Sequence, residues 1–303
     1  MADATEIVSE YWGEDRNTGR IHSWLQHPVM RDFLHRRITG NSSLGTLQWF
    51  KRQFFPQPAE ICLSLGCGFG EFDRGAISLE IAHKFEAFDM ASAAVESARQ
   101  AAVSVGFGDR ISYGVRNLDE LELPPNRYDG IFAISSVHHI YALENYFRQC
   151  RRALKPGALL FLDEYIGPSR FQSSPFVTQL INDLLAIFPE RYRLNVLNND
   201  GSVVENYVPS TVDHFEKVDP SEAIRSGELV NTLKMYFDLV EYRPYGGALL
   251  HMLFSRIMGN FDAANEMDVS LLRVLATMEE ALEKAGALQS DFAVIVAKPR
   301  ITS

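Results

Sequence analysis

Cysteine is scarce. Cys62, Cys67 and Cys150 are the only three in 303 residues, and they form no disulfide framework. That usage fits a reducing compartment, with the cytoplasm the expected location. Basic charge is also in short supply: Lys and Arg total 29 against 39 Asp and Glu, a net charge of −10. The imbalance opposes nonspecific attraction to nucleic acid or an anionic membrane, so neither is an expected partner. No apolar run approaches the roughly 20 residues of a bilayer span. The opening stretch, MADATEIVSEYWGEDRNTG, is polar and acidic, unlike a secretory leader. Internal repeats and low-complexity tracts are absent. The best basic patch, RDFLHRRITG (Arg31 to Gly40), reads as a solvated helix face. What remains is an ordinary globular composition, 46% hydrophobic and 22% charged, in a chain long enough for a large core.

Residues 1–55 read as an N-terminal helical cap. Ser9 is a candidate cap, Pro28 a first-turn residue, and Leu44, Leu47, Phe50 and Phe54 have helical spacing. From Ala59 the rhythm changes. Short apolar runs alternate with helical segments, which predicts an α/β fold with a mostly parallel sheet and helices on both faces. Strands are expected at Glu60–Leu65, Lys84–Phe88, Ile111–Val115, Tyr128–Ile134 and Ala158–Tyr165. Helices are expected near Phe72–Ala82, Ala91–Val105 and Ala142–Leu154, the last stopped by Gly157 as a left-handed cap. A helical insertion is expected over 168–233, with helices from Ser174 and from Asp219. A strand then runs from Asp238 to Tyr245, and a helical pair occupies 247–286. The apolar run DFAVIVAKP supplies a last buried strand. Residues 56–303 thus form one domain with insertions.

The first strand runs into ICLSLGCGFGEFD (Ile61 to Asp73), with glycines at 66, 68 and 70. In an open α/β sheet, ligands bind beyond the carboxyl ends of the strands, and glycine lets a ligand approach the backbone. A dinucleotide turn reads G-x-G-x-x-G, and Glu71 stands where its third glycine belongs. A P-loop needs G-K-[ST], which is missing. The G-x-G-x-G spacing instead resembles motif I of class I S-adenosylmethionine-dependent methyltransferases. Other segments extend the resemblance in order. KFEAFDM ends on Asp89, where a carboxylate accepts ribose hydroxyls. GVRNLDELELPP is similar to the segment that holds the adenine, with Asn117 in place of the usual Asp and Leu118 against the ring. YDGIFAISSVHHI and RRALKPGALLFLDE resemble the family's fourth and fifth strands. Ser64 stands where the family often has an acid, two positions before the first glycine.

The resemblance implies a Rossmann-like seven-stranded sheet of order 3-2-1-4-5-7-6 with strand seven antiparallel. It implies S-adenosyl-L-methionine held by Gly66, Cys67, Gly68, Gly70, Asp89, Met90, Asn117, Leu118 and Ser135. The cofactor's methyl is already electrophilic, so the protein must align an acceptor and exclude water. A base is needed only for a poorly acidic hydroxyl or a protonated amine. His138 and Glu164 are the candidate catalytic residues, while His139 reads as a packing residue. Arg170, Tyr245 and His251 are candidate acceptor contacts, and Tyr11 with Trp12 a candidate lid. Adjacent histidines make no metal pair, so no metal is expected. The acceptor is expected to be a small molecule, such as a sugar or natural-product intermediate, and the insertions also offer homodimer surfaces. Two other readings stand beside methyl transfer: a non-catalytic scaffold on the same fold, and a nicotinamide-dependent oxidoreductase.

Overall fold

The computed structural model describes residues 8, 11, 21, 23–198 and 200–300. Helices α1 (Pro28–Thr39) and α2 (Thr46–Phe54) lead into β1 (Ala59–Leu65), α3 (Glu71–Ser78) and β2 (Ala82–Asp89). Next come α4 (Ser92–Ser104), β3 (Ile111–Val115), β4 (Tyr128–Ile134), α5 (Leu143–Ala153) and β5 (Leu154–Tyr165). The insertion after β5 carries α6 (Pro175–Ile187), α7 (Val212–Val218) and α8 (Leu229–Tyr236). The chain continues with β6 (Phe237–Gly246), α9 (Leu250–Phe254), α10 (Glu266–Lys284) and β7 (Phe292–Pro299).

The seven strands lie in the order β3-β2-β1-β4-β5-β7-β6. β7 is antiparallel to both its neighbours, and the other pairs are parallel. This is the order that the resemblance implies. Winding reverses between β1 and β4, which opens a crevice beyond their carboxyl ends.

Central strands are covered on both faces, so they read as unbroken apolar runs. Along β4 and β5 the side chains divide by alternation. Phe132 and Phe161 enter one core, and Ile131, Ala133, Leu160 and Leu162 enter the other. The first core also takes the N-terminal helices. The Phe50 ring meets Phe132 at 5.4 Å and Phe161 at 4.7 Å between centroids. Residues read as a cap are therefore part of the sheet's packing.

Several boundaries differ from expectation. α3 stops at Ser78, so β2 begins earlier, at Ala82. Gly157 is left-handed, with φ +82°, but it sits inside β5, because Leu154 already pairs with Tyr128. No helix starts at Asp219. Its carboxylate accepts from the Ser221 backbone N–H and hydroxyl, a local turn that competes with helix. The helix expected after Gly247 is only the five residues of α9. Ser174 does cap α6, accepting from the Val177 N–H, with Pro175 in the first turn. Ser9 and Trp12 lie outside the described residues. No described helix is long and apolar enough to cross a membrane.

Candidate active site

Gly66, Gly68 and Gly70 have φ of +74°, +48° and +73°, a region costly for any residue with a Cβ. Their neighbours differ. A Cβ on Gly66 would overlap Ser136, whose hydroxyl donates to the Leu65 carbonyl at 2.8 Å. A Cβ on Gly70 would crowd the Tyr113 hydroxyl and Ala98, so this glycine seats α3 against α4 and β3. Nothing lies within 4 Å of a Cβ on Gly68. Asp89 closes the turn from β2: its Oδ2 accepts from the Gly68 N–H at 2.8 Å and its Oδ1 from the Ala91 N–H at 2.9 Å. Burial raises the Asp89 pKa, and these backbone donors oppose the rise. Each oxygen keeps a lone pair for a further donor.

A cleft of about 1240 Å³ opens over this turn. Gly66, Cys67, Gly68, Asp89 and Met90 line one end, and Asn117, Leu118 and Ser135 line it from β3 and β4. Of the predicted cofactor residues, Gly70 alone does not reach the cleft, because its role is the helix seat. Asn117 Oδ1 accepts from the Asp119 N–H at 3.0 Å, which turns the chain after β3. Ser135 holds φ +48°, and its N–H donates to the Asp163 carbonyl. Tyr11 also lines the cleft.

Beyond β4 the chain makes a tight turn over Val137–His139. Glu164, fully buried near the end of β5, holds that turn. Its Oε1 accepts from the Ser136 and Val137 N–H groups, each at 2.6 Å, and its Oε2 accepts from His138 Nδ1 at 2.8 Å. Acceptance from three sides fixes the proton on Nδ1. Burial lowers the His138 pKa, but Glu164, then Glu222 and Asp219, raise it overall. His138 Nε2 faces Glu222 Oε1 at 3.6 Å. The His139 ring lies 4.2 Å from that of His138, with Nδ1 3.0 Å from Ser221 Oγ. Burial and the charges of His138 and Arg170 hold its pKa well below the usual histidine range. His139 lines the cleft and His138 does not. The placement is thus the reverse of the sequence reading, because the tight turn sends the first ring back to Glu164.

The three predicted acceptor contacts are not brought to the cleft. Arg170 donates Nη1 to the Glu222 carbonyl and Nη2 to the Pro220 carbonyl, both at 2.8 Å. Tyr245 is buried, stacked on Phe292, and donates its hydroxyl to Asp163 at 2.7 Å. His251 packs among Tyr165, Phe171 and Phe292, with Nδ1 unpartnered. Sequence reasoning missed Glu71, Asp119, Tyr141, Ser221 and Ile224, which line the cleft. It also missed Glu222, whose pKa rises to about 7, chiefly through burial. Asp119 was legible two residues past Asn117. Ser221, Glu222 and Ile224 sit in an irregular segment with no pattern to mark them.

Fold order and the glycine–aspartate turn are those that the resemblance to class I methyltransferases implies. Residues 63–162 match the family model described as a methyltransferase domain, and this segment of the chain is one. Among curated proteins, the chain is 29% identical over 163 residues to the 27-O-demethylrifamycin SV methyltransferase of Amycolatopsis mediterranei (strain S699), covering 53% of this chain and 55% of that one. It is 22% identical over 240 residues to phosphoethanolamine N-methyltransferase 3 of Arabidopsis thaliana, covering 75% of this chain and 44% of that one. The chain spans between 29% and 55% of the length of the curated relatives it matches. Among solved structures, a geranyl diphosphate methyltransferase in complex with GPP and sinefungin superposes with TM-score 0.58 at 13% identity, covering 99% of this chain and 100% of that one. The [4+2]-cyclase SpnF superposes with TM-score 0.52 at 14% identity, covering 99% and 98%. Likenesses at this identity speak for the fold, and one fold hosts unrelated chemistries.

Proposed function

We propose that the protein transfers the methyl group of S-adenosylmethionine to a small-molecule acceptor by in-line displacement. The observation that carries this reading is the charge of the cleft. Glu71, Asp89 and Asp119 line it, against Arg74 as the one Lys or Arg among the described lining residues. Arg74 is itself engaged with the Phe69 carbonyl at 2.7 Å. S-adenosylmethionine brings a sulfonium and an ammonium, which suit such a lining. A nicotinamide dinucleotide brings a diphosphate, which the Glu71 carboxylate at the start of α3 would repel.

The adenosine end is assigned to Asp89, Asn117 and Leu118, and the methionine end to the turn from Gly66 to Gly68 and to Ser135. The acceptor takes the region of Tyr141, His139, Ser221 and Ile224. The sulfur–methyl bond breaks as the acceptor's lone pair forms the new bond, and the product sulfide is neutral. Where the acceptor is a hydroxyl, its proton is released to solvent as the carbon–oxygen bond forms, since burial makes the His139 imidazole a weak base. Glu164 and His138 stand behind as positioning residues. Acceptors of the rifamycin or sterol kind, as named for the curated relatives, fit a partly apolar chamber of this size.

Calorimetric titration with S-adenosylmethionine, S-adenosylhomocysteine and NAD, on the wild type and Asp89→Ala, tests the reading. Micromolar binding of the sulfur nucleosides, lost in the variant, supports it. Binding of NAD alone would end it.

A further inference from the structure

At the back of the acceptor region, side chains from two distant stretches converge. His138 and His139 follow β4, and Glu222 arrives from the segment between α7 and α8. One ligand-capable atom from each lies within 4.8 Å of the other two. Glu164 holds the Nδ1 proton of His138 at 2.8 Å and leaves Nε2 facing Glu222. A carboxylate behind an imidazole is the arrangement that fixes the tautomer of a metal-binding histidine and strengthens it as a ligand. Nε2 stands 3.6 Å from Glu222 Oε1, beyond good hydrogen-bond range. That separation is close to the roughly 3.3 Å between two ligand atoms on a tetrahedral cation with bonds of about 2.0 Å. Asp219 Oδ2 adds a further acid 3.9 Å from His139 Nδ1. Arg170, whose charge acts on His139 and Glu222, donates its Nη groups to backbone carbonyls.

We propose that His138 Nε2, His139 and Glu222 bind a divalent transition-metal cation, with Glu164 supporting His138 from behind. Two imidazoles and one carboxylate suit Zn²⁺, Mn²⁺ or Fe²⁺, whereas Mg²⁺ and Ca²⁺ favour oxygen ligands throughout. Glu222 sits in an irregular segment, so rotation of its side chain suffices to close the site. Three protein ligands leave coordination positions open, and His139 and Ser221 put those positions on the cleft wall. The consequence for chemistry rests on the methyltransferase reading. The open positions would take a hydroxyl oxygen of the acceptor, and the cation would lower its pKa so that the proton passes to solvent and the oxygen forms its bond to the methyl carbon as the sulfur–methyl bond breaks. The acceptor class this favours is an oxygen-bearing small molecule able to ligate a metal.

The test is titration of the full chain, stripped by a chelator, with Co²⁺ and then Zn²⁺. One equivalent of Co²⁺ should give visible ligand-field bands that Zn²⁺ abolishes. Glu164→Gln should weaken binding about 10- to 100-fold, as supporting residues do, and Glu222→Gln and His139→Gln at least as much. Thermal melts confirm that each variant is folded, and S-adenosylhomocysteine affinity is measured on the same samples. Absence of saturable Co²⁺ binding overturns the proposal, as does a site indifferent to both Glu222→Gln and His139→Gln. Because the cation readout does not use the cofactor, a filled metal site with no sulfur-nucleoside binding would sink the methyl-transfer reading alone.

Discussion

Gly66 and Ser136 touch without room for a methyl group between them: a Cβ on Gly66 would lie 2.7 Å from Ser136 Oγ. Ser136 in turn bonds the Leu65 carbonyl, so the glycine turn and the histidine turn are locked face to face. Gly66→Ala should cost the left-handed backbone penalty of about 1–2 kcal/mol and about 1–3 kcal/mol more for overpacking. Gly68→Ala, with open space around its Cβ, should cost only the first of these. Denaturant melts of the two variants measure the contrast. Equal losses would mean that the close contact relaxes freely.

Asp89→Asn should weaken S-adenosylhomocysteine binding about 10- to 100-fold, the worth of a hydrogen bond to a charged group. The carboxylate accepts from Gly68 and Ala91 on opposite oxygens. An amide must turn its NH₂ toward one of those N–H groups, so the turn itself is disturbed. Calorimetry on the variant provides the check.

Burial, and then the charge of His138, push the His251 pKa down to about 4 in the folded protein. The unfolded chain binds that proton near pH 6.5. Between these values the unfolded state holds more protons, so stability falls as pH drops, by up to about 3 kcal/mol below pH 4. His251→Phe removes this term and leaves the ring cluster with Tyr165 and Phe292 filled. The variant should lose less stability than wild type between pH 7 and pH 5. Parallel melting curves across that range would refute the assignment.

Glu164→Gln should invert the His138 tautomer. If the amide oxygen stays on the Ser136 and Val137 N–H groups, its NH₂ faces Nδ1, and the ring proton must move to Nε2. Nitrogen chemical shifts of the imidazole report the change directly. An unchanged shift pattern would show that the tautomer is set elsewhere.

The sheet was legible because its requirements leave marks in composition. Doubly covered strands need continuous apolar runs, and the ligand turn needs glycines where φ is positive. Asp89 followed from its place at the end of β2. The acceptor end was not legible for two physical reasons. The sides taken by His138 and His139 depend on one tight turn, and a turn of slightly different pitch would exchange them. Glu222 and Ser221 reach the site through tertiary contact alone, from a stretch where Asp219 forms a local turn in place of the expected helix. Tyr245 near the end of β6 and His251 in α9 were expected to line the pocket, but both pack against Phe292 instead.

Arg170 makes its own contribution to how this molecule could change over time. Its N–H bonds the Ala223 carbonyl, and its guanidinium bonds the carbonyls of residues 220 and 222. These bonds tie the beginning of the insertion to its end, like the drawn neck of a bag. The chain between them is a cassette whose length can vary at little entropic cost, since loop closure grows only with the logarithm of length. The cassette can therefore change while the cleft residues held at the neck, Ser221 and Ile224, stay where they are.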